Sequence, residues 1–165
     1  MKKLISILFS LSLLSQAQEK KTTAKVIANL VTAITDYYEE YQQLPLGSLS
    51  NADASHSTSG KKGKPLMAAL LGLESSEEEN YKLRSFFATK AAEEKKGGLL
   101  RTKNTAELFD PWGNPYHILF NYDYDDELKD PFSGKIVKDQ KVLIWSNGPD
   151  GKPGTPDDIR SWWRK

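Results

Sequence analysis

Between residues 22 and 43, apolar side chains return every three or four positions: Val26, Ile27, Leu30, Val31, Ile34, Tyr37, Tyr38 and Tyr41. That period gathers them on one side of an α-helix. Thr22 or Thr23 is placed to cap the start, and Pro45 ends it. A face this broad needs cover. In a single-domain chain of 165 residues with 38% hydrophobic content, it is needed for the chain's own core. A small sheet is the simplest partner, and a helix face kept for another protein is the less economical alternative.

The sheet is written in the second half. His117 to Tyr122 and Val142 to Ser146 read as strands, and Ile159 to Trp163 as a third strand or extended tail. Asp110-Pro-Trp-Gly-Asn-Pro-Tyr116 is a dense turn signal before the first of them. Residues 123–140 form an acidic connection between the first two. Local connections favour antiparallel pairing, so the expected class is α+β: a long N-terminal helix on an antiparallel sheet of about three strands. Between helix and sheet, residues 47–64 are small and polar and read as a loop. Pro65 opens a short helix, Leu66 to Leu71, stopped by Gly72. Glu77, Glu78 and Glu79 read as a solvated face, residues 83–89 as a buried turn or short strand, and Lys95-Lys96-Gly97-Gly98 as another loop.

Residues 1–17 have the form of an export signal. Lys2 and Lys3 precede an apolar run from Leu4 to Leu14, and Ser15-Gln16-Ala17 offers small residues for cleavage. From Leu4 to Ala17 there are 14 residues, against about 20 needed to span a bilayer. Cleavage would leave residues 18–165 as the mature, exported domain, placed in the periplasm, at the cell surface or outside the cell. Retention as a short anchor is the alternative.

Composition removes several kinds of chemistry. There is no cysteine, hence no disulfide, thiolate metal site or cysteine-linked lipid. A formal net charge of +1 gives no long-range pull toward nucleic acid or anionic membrane. The two histidines, His56 and His117, have no partners for a zinc site or a Ser-His-Asp arrangement, and no G-x-S-x-G elbow occurs. His117 reads as a sheet residue with a local hydrogen bond. No glycine-rich phosphate loop precedes a helix. A glycosidase needs two carboxyls facing across a cleft that so small a chain has little room to build. The expected role is therefore non-catalytic.

Carboxylates cluster twice. Asp123, Asp125 and Glu127 alternate as at the start of a calcium loop, but neither the sharp-turn glycine nor a closing glutamate follows. This stretch reads as a solvated connection, with a weak ion site as the alternative. The second cluster is stronger. After Trp145-Ser-Asn147, residues Gly148 to Ile159 hold Asp150, Asp157 and Asp158 together with Gly151, Pro153, Gly154 and Pro156. Such a segment can fold back and direct carboxylates and carbonyls at one point, as a hard cation requires, and calcium is the ion that fits. Asx turns with exposed aspartates explain the same spacing equally well. Trp112, Trp145, Trp162 and Trp163 could form a ligand platform, but such residues more often complete a small core.

Taken in order, the periodic helix, the exit Leu44-Pro45, Asp110-Pro-Trp-Gly-Asn-Pro-Tyr116, Val142-Leu-Ile-Trp-Ser-Asn-Gly-Pro-Asp-Gly151 and Asp157-Asp158-Ile159-Arg-Ser-Trp162 resemble the major, G-type pseudopilins of type II secretion and the wider type IV pilin-like family. The resemblance covers residues 22–45 and 109–162, with residues 47–108 as an enlarged variable insert. It implies a helix packed on a small antiparallel sheet and a C-terminal loop closed by structural Ca2+. Carried over by position, Asp150, Asp157 and Asp158 are the acidic ligands, with backbone carbonyls near Asn147 and Lys152. It also implies other pilin-like or secretion-apparatus proteins as partners.

The N-terminus departs from the family. A prepilin has a cleavage site ending in glycine, then a Phe-rich membrane helix with a glutamate near its new start. Here polar Gln18-Glu-Lys-Lys21 follows the apolar run. A cleaved chain would be a pilin-like head without its stem. Two alternatives stand beside it: a pseudopilin subunit kept in the membrane, and an independent exported binding module, for example for glycans through its tryptophans.

Overall fold

The computed structural model describes residues 2–47 and 51–162, with the backbone alone for residues 2–13. It opens with one continuous helix, α1 (Lys2–Tyr41). The threonines expected to cap a helix at residue 22 lie inside it. Thr22 and Thr23 donate their hydroxyls to the carbonyls of Gln18 and Glu19 at 3.0 and 2.9 Å. A hydroxyl bonded one turn back is the geometry of a helix interior, where the backbone N–H groups ahead are already paired within the helix and need no cap. At the other end Gln42 takes a left-handed conformation, φ 55°, and its side chain bonds back to the Glu39 carbonyl at 3.0 Å. The chain then turns through buried Leu44, Pro45 and Leu46. Among the described residues no helix is long and apolar enough to cross a membrane.

The predicted apolar face is the buried one. Ile27, Leu30, Ala33, Ile34 and Tyr37 are buried, with Val26, Val31, Tyr38 and Tyr41 partly buried at its margins. They pack on a four-stranded antiparallel sheet in the order β1-β4-β7-β8: β1 (Ala54–Ser57), β4 (His117–Phe120), β7 (Val142–Ser146) and β8 (Ile159–Arg160). The three expected strands are its last three members. The third is shorter than expected, and Trp163 lies outside the described residues.

The fourth strand corrects the reading of residues 47–64 as loop. Ala-Ser-His-Ser pairs along β4 from Ala54↔Phe120 to Ser57↔His117. The apolar neighbour supplies the template, so an edge strand can form from residues with little strand preference. Helix α2 (Gly60–Leu71) likewise begins five residues before Pro65, takes in the Gly-Lys-Lys-Gly-Lys stretch and ends at Gly72 as expected. Two small hairpins complete the fold, β2 (Gly98–Arg101) with β3 (Ala106–Phe109), and β5 (Glu127–Lys129) with β6 (Ile136–Lys138). The second lies within the segment read as an acidic connection.

The register separates the two sheet faces. Ile118↔Ile144 and Phe120↔Val142 point to the main core with α1 and α2. His117↔Trp145 and Leu119↔Leu143 occupy the opposite face. There the β5–β6 turn brings Phe132 edge-on to Trp145, with ring centroids 5.5 Å apart. The end of α1 is tied to the segment after α2 by Asn80, which is wholly buried. Its Nδ2 donates to the Ala69 and Arg84 carbonyls at 2.8 and 2.7 Å, and its Oδ1 accepts from Arg84 N and the Tyr41 hydroxyl.

Candidate metal centre

Two segments far apart in sequence hold the C-terminal loop. The first is the turn after β3. Asp110 is fully buried, and its Oδ1 accepts from the backbone N–H groups of Trp112 and Asn114 at 3.0 and 2.8 Å. Its Oδ2 accepts from the Ser146 hydroxyl at the end of β7, at 2.7 Å. Burial pushes the Asp110 carboxyl above its usual range, against the pull of these hydrogen bonds. Ser146 Oγ in turn accepts from Gly148 N at 3.1 Å, and Asn114 Nδ2 donates to the Gly148 carbonyl at 2.8 Å. The turn 110–116 is therefore a clamp on the first residues of the loop.

The second support comes from the β5–β6 turn. Asp130 repeats the arrangement: Oδ1 accepts from Phe132 N at 2.9 Å, and Oδ2 from the Ser133 hydroxyl at 2.8 Å and Trp162 Nε1 at 3.2 Å. Burial works to raise its pKa, but these donors hold it below the ordinary carboxylate range. Phe132 stacks on Trp162, and the Arg160 guanidinium lies 3.9 Å from the Phe132 ring centre. Arg160 also pairs with Asp158 Oδ2 at 2.9 Å. Asp158 is thus held from the strand side, with no side-chain surface exposed.

The loop folds back as expected. Gly148 has φ 64°, and a Cβ built there would stand 2.5 Å from the Asp157 carbonyl and 2.7 Å from its Oδ2. Only glycine allows that approach. Asp157 Oδ2 accepts from Asp150 N at 3.2 Å, and Asp158 Oδ2 accepts from Gly154 N at 2.8 Å. The three predicted aspartates meet at one atom, the Thr155 hydroxyl. Thr155 Oγ1 lies 2.6 Å from Asp157 Oδ1, 3.3 Å from Asp158 Oδ1, 3.4 Å from Asp150 Oδ1 and 3.2 Å from the Lys152 carbonyl. Burial acts to raise the Asp157 pKa, but the bonds from Thr155 and Asp150 N hold it below normal. Among the described residues no three His, Cys, Asp or Glu side chains stand arranged as a ready ligand set around an open point. The oxygens are gathered, with a hydroxyl at their centre.

Sequence reasoning missed Thr155, Asp110, Ser146 and Asp130. Thr155 was visible only as one hydroxyl in a Gly-Thr-Pro stretch. The two clamps had a legible sign: Asp110-Pro-Trp-Gly and Asp130-Pro-Phe-Ser-Gly share an Asp-Pro opening and a following glycine.

The remaining candidates are placed elsewhere. His117 is on β4, stacked on Trp145 at 5.2 Å, with Nε2 3.4 Å from Asn147 Nδ2. Burial lowers its pKa, opposed by the charge of Asp158. Asp125 Oδ1 accepts from Glu127 N at 2.8 Å, and Glu127 pairs with Lys138 at 2.7 Å, so the 123–127 carboxylates attend the start of the β5–β6 hairpin. Trp145 is buried, Trp162 is held by Asp130, and Trp112 donates to Glu19 Oε2 at 3.0 Å, so these three are engaged in packing and hydrogen bonding. Trp163 lies outside the described residues. Comparisons with protein-family models, with curated proteins and with solved structures find no match.

Proposed function

We propose that this chain is an exported, non-catalytic pilin-like head whose C-terminal loop is closed by a structural calcium ion, and that it works beside other pilin-like or secretion-apparatus proteins. The observation that carries the ion is the crowding at Thr155. Its hydroxyl has one proton, yet four acceptor oxygens lie within 3.4 Å of it. One hydrogen bond serves one of them well. The carboxylates of Asp150, Asp157 and Asp158 are left facing one another, with Arg160 offsetting the charge only at Asp158 Oδ2, and a hard divalent cation relieves the rest. Asp150, Asp157 and Asp158, with the Lys152 carbonyl and the Thr155 hydroxyl, are the oxygens that would hold it. Both clamps already fix the ends of the loop, so the ion would have only the loop's middle to order. The pilin-like reading draws on the sequence motifs and agrees with a long N-terminal helix lying on an antiparallel sheet.

The test is melting of residues 18–165 with calcium and with a chelator. At a free concentration of about 100 Kd, calcium adds about 2.7 kcal/mol. That is a rise of roughly 5–10 °C in Tm for a chain of this size. Identical curves in both conditions sink the ion's role. Export is tested separately by N-terminal sequencing of the protein recovered from cells: cleavage after Ala17 leaves Gln18 first, and recovery of Met1 refutes it.

A further inference from the structure

Away from the calcium loop, a cavity of about 540 Å³ opens between Leu46, β1, the first turns of α2 and Tyr122. Small-ligand sites commonly enclose about 300–1,000 Å³. Its body is apolar, formed by Leu46, Ala54, Pro65 and the rings of His56 and Tyr122. Among the described residues, the charged side chains lining it are Lys61 and Lys62. Neither takes part in an ion pair among the described residues, whereas neighbouring Lys64 faces Glu107 at 3.9 Å. Both sit in the first turn of α2, where the helix dipole adds positive potential. Glu107 takes the Gly60 N–H at 2.8 Å, so the preference for an anion rests on the two ammonium groups.

The wall also holds an unfinished hydrogen bond. The Tyr122 hydroxyl donates to the Pro45 carbonyl at 2.8 Å, so it accepts from His56 Nε2–H at 3.3 Å. His56 Nδ1 is then an acceptor, buried with no partner among the described residues. An ionised carboxylate is acceptor-only and does not satisfy this nitrogen, so the choice of occupant rests on the two lysines and the apolar lining.

We infer that this cavity binds a small anionic amphiphile, an alkyl carboxylate whose chain lies against Leu46, Ala54 and Pro65 and whose head meets Lys61 and Lys62. Charge complementarity selects the head, and the apolar lining selects the tail. The cavity shares no residue with the C-terminal loop, so the inference stands or falls apart from the calcium reading.

The experiment is calorimetric titration of residues 18–165 with decanoate below its micellar concentration, with and without a chelator. Saturable one-to-one binding is expected in both. Decanol and decyltrimethylammonium are expected to bind at least about tenfold more weakly, a difference of about 1.4 kcal/mol. The double variant Lys61→Glu/Lys62→Glu is expected to lose decanoate at least tenfold. Acidic residues in a first helical turn are favourable, so its fold is kept, and circular dichroism checks that. Absence of saturable binding, equal affinity for the cationic analogue, or unchanged affinity in the folded double variant each overturns the inference.

Discussion

Ser146 donates its hydroxyl to the buried carboxylate of Asp110 across 36 residues of sequence, at 2.7 Å. This bond joins the two motifs that are most distinctive in the chain, the Asp-Pro-Trp-Gly turn and the Ser-Asn-Gly entry to the acidic loop. Ser146 also receives Gly148 N, so the same oxygen fixes both the turn and the start of the loop.

Removing either partner is costly. Asp110→Ala leaves the N–H groups of Trp112 and Asn114 and the Ser146 hydroxyl without their acceptor, and a loss of about 2–4 kcal/mol is expected. Asp110→Asn keeps the shape and removes the buried charge, so it is expected to stay within about 1 kcal/mol of the parent at neutral pH. The pH dependence has a definite sign. Burial raises the folded-state pKa of Asp110 above its unfolded value, so the native state holds the proton more tightly. The stabilisation is complete below the unfolded pKa of about 3.9 and is lost as pH rises through the folded value. Urea unfolding of parent and Asp110→Asn should therefore favour the parent more at pH 4 than at pH 7. The opposite trend would show the carboxylate to be held charged.

Gly148→Ala tests the loop's return. A methyl group there meets Asp157 at 2.5 Å in a left-handed backbone conformation. A destabilisation of about 1–3 kcal/mol is expected from the strained backbone. The variant should also lose most of the calcium-dependent rise in Tm. A variant that keeps that rise in full would detach the ion from the folded-back loop.

Asp157→Ala separates the ion from the loop's own hydrogen bonds. Under chelation it loses only contacts to Thr155 and Asp150 N, on an exposed loop, and a change of about 1 kcal/mol or less is expected. With calcium the deficit should grow to include the whole binding contribution. Thermal melts of both proteins in both conditions check this, and a deficit that does not depend on calcium would falsify the assignment of Asp157 as a ligand.

Asn80→Ala probes the segment that follows α2. It removes two donors and one shared acceptor from a buried site, taking the Asn80 partner from the Arg84 carbonyl and N–H and leaving the Ala69 carbonyl only the 3.4 Å bond from Gly72 N. A loss of about 2–4 kcal/mol is expected by denaturant unfolding, with Asn80→Asp no better because a carboxylate would face the same carbonyls. A neutral effect would show that residues 72–86 are not part of the cooperative fold.

The sequence by itself determined the elements whose side chains carry their own periodicity or punctuation. The face of α1 from Ile27 to Tyr37, the strand at Val142–Ser146, the stop at Gly72 and the return of the acidic loop all follow from local apolar spacing or from glycine and proline. Only the tertiary structure decided the rest. Ala54–Ser57 is a strand because Ile118 and Phe120 offer a paired edge, and no pattern in Ala-Ser-His-Ser announces it. Thr22 and Thr23 lie within a helix because residues before them are helical, which their own capping preference cannot reveal. Asp110 and Ser146 meet because β4 and β7 are neighbours. Thr155 stands among three aspartates because two remote clamps close the loop around it. Such contacts depend on which chain segments become adjacent, and that is set by packing the whole core.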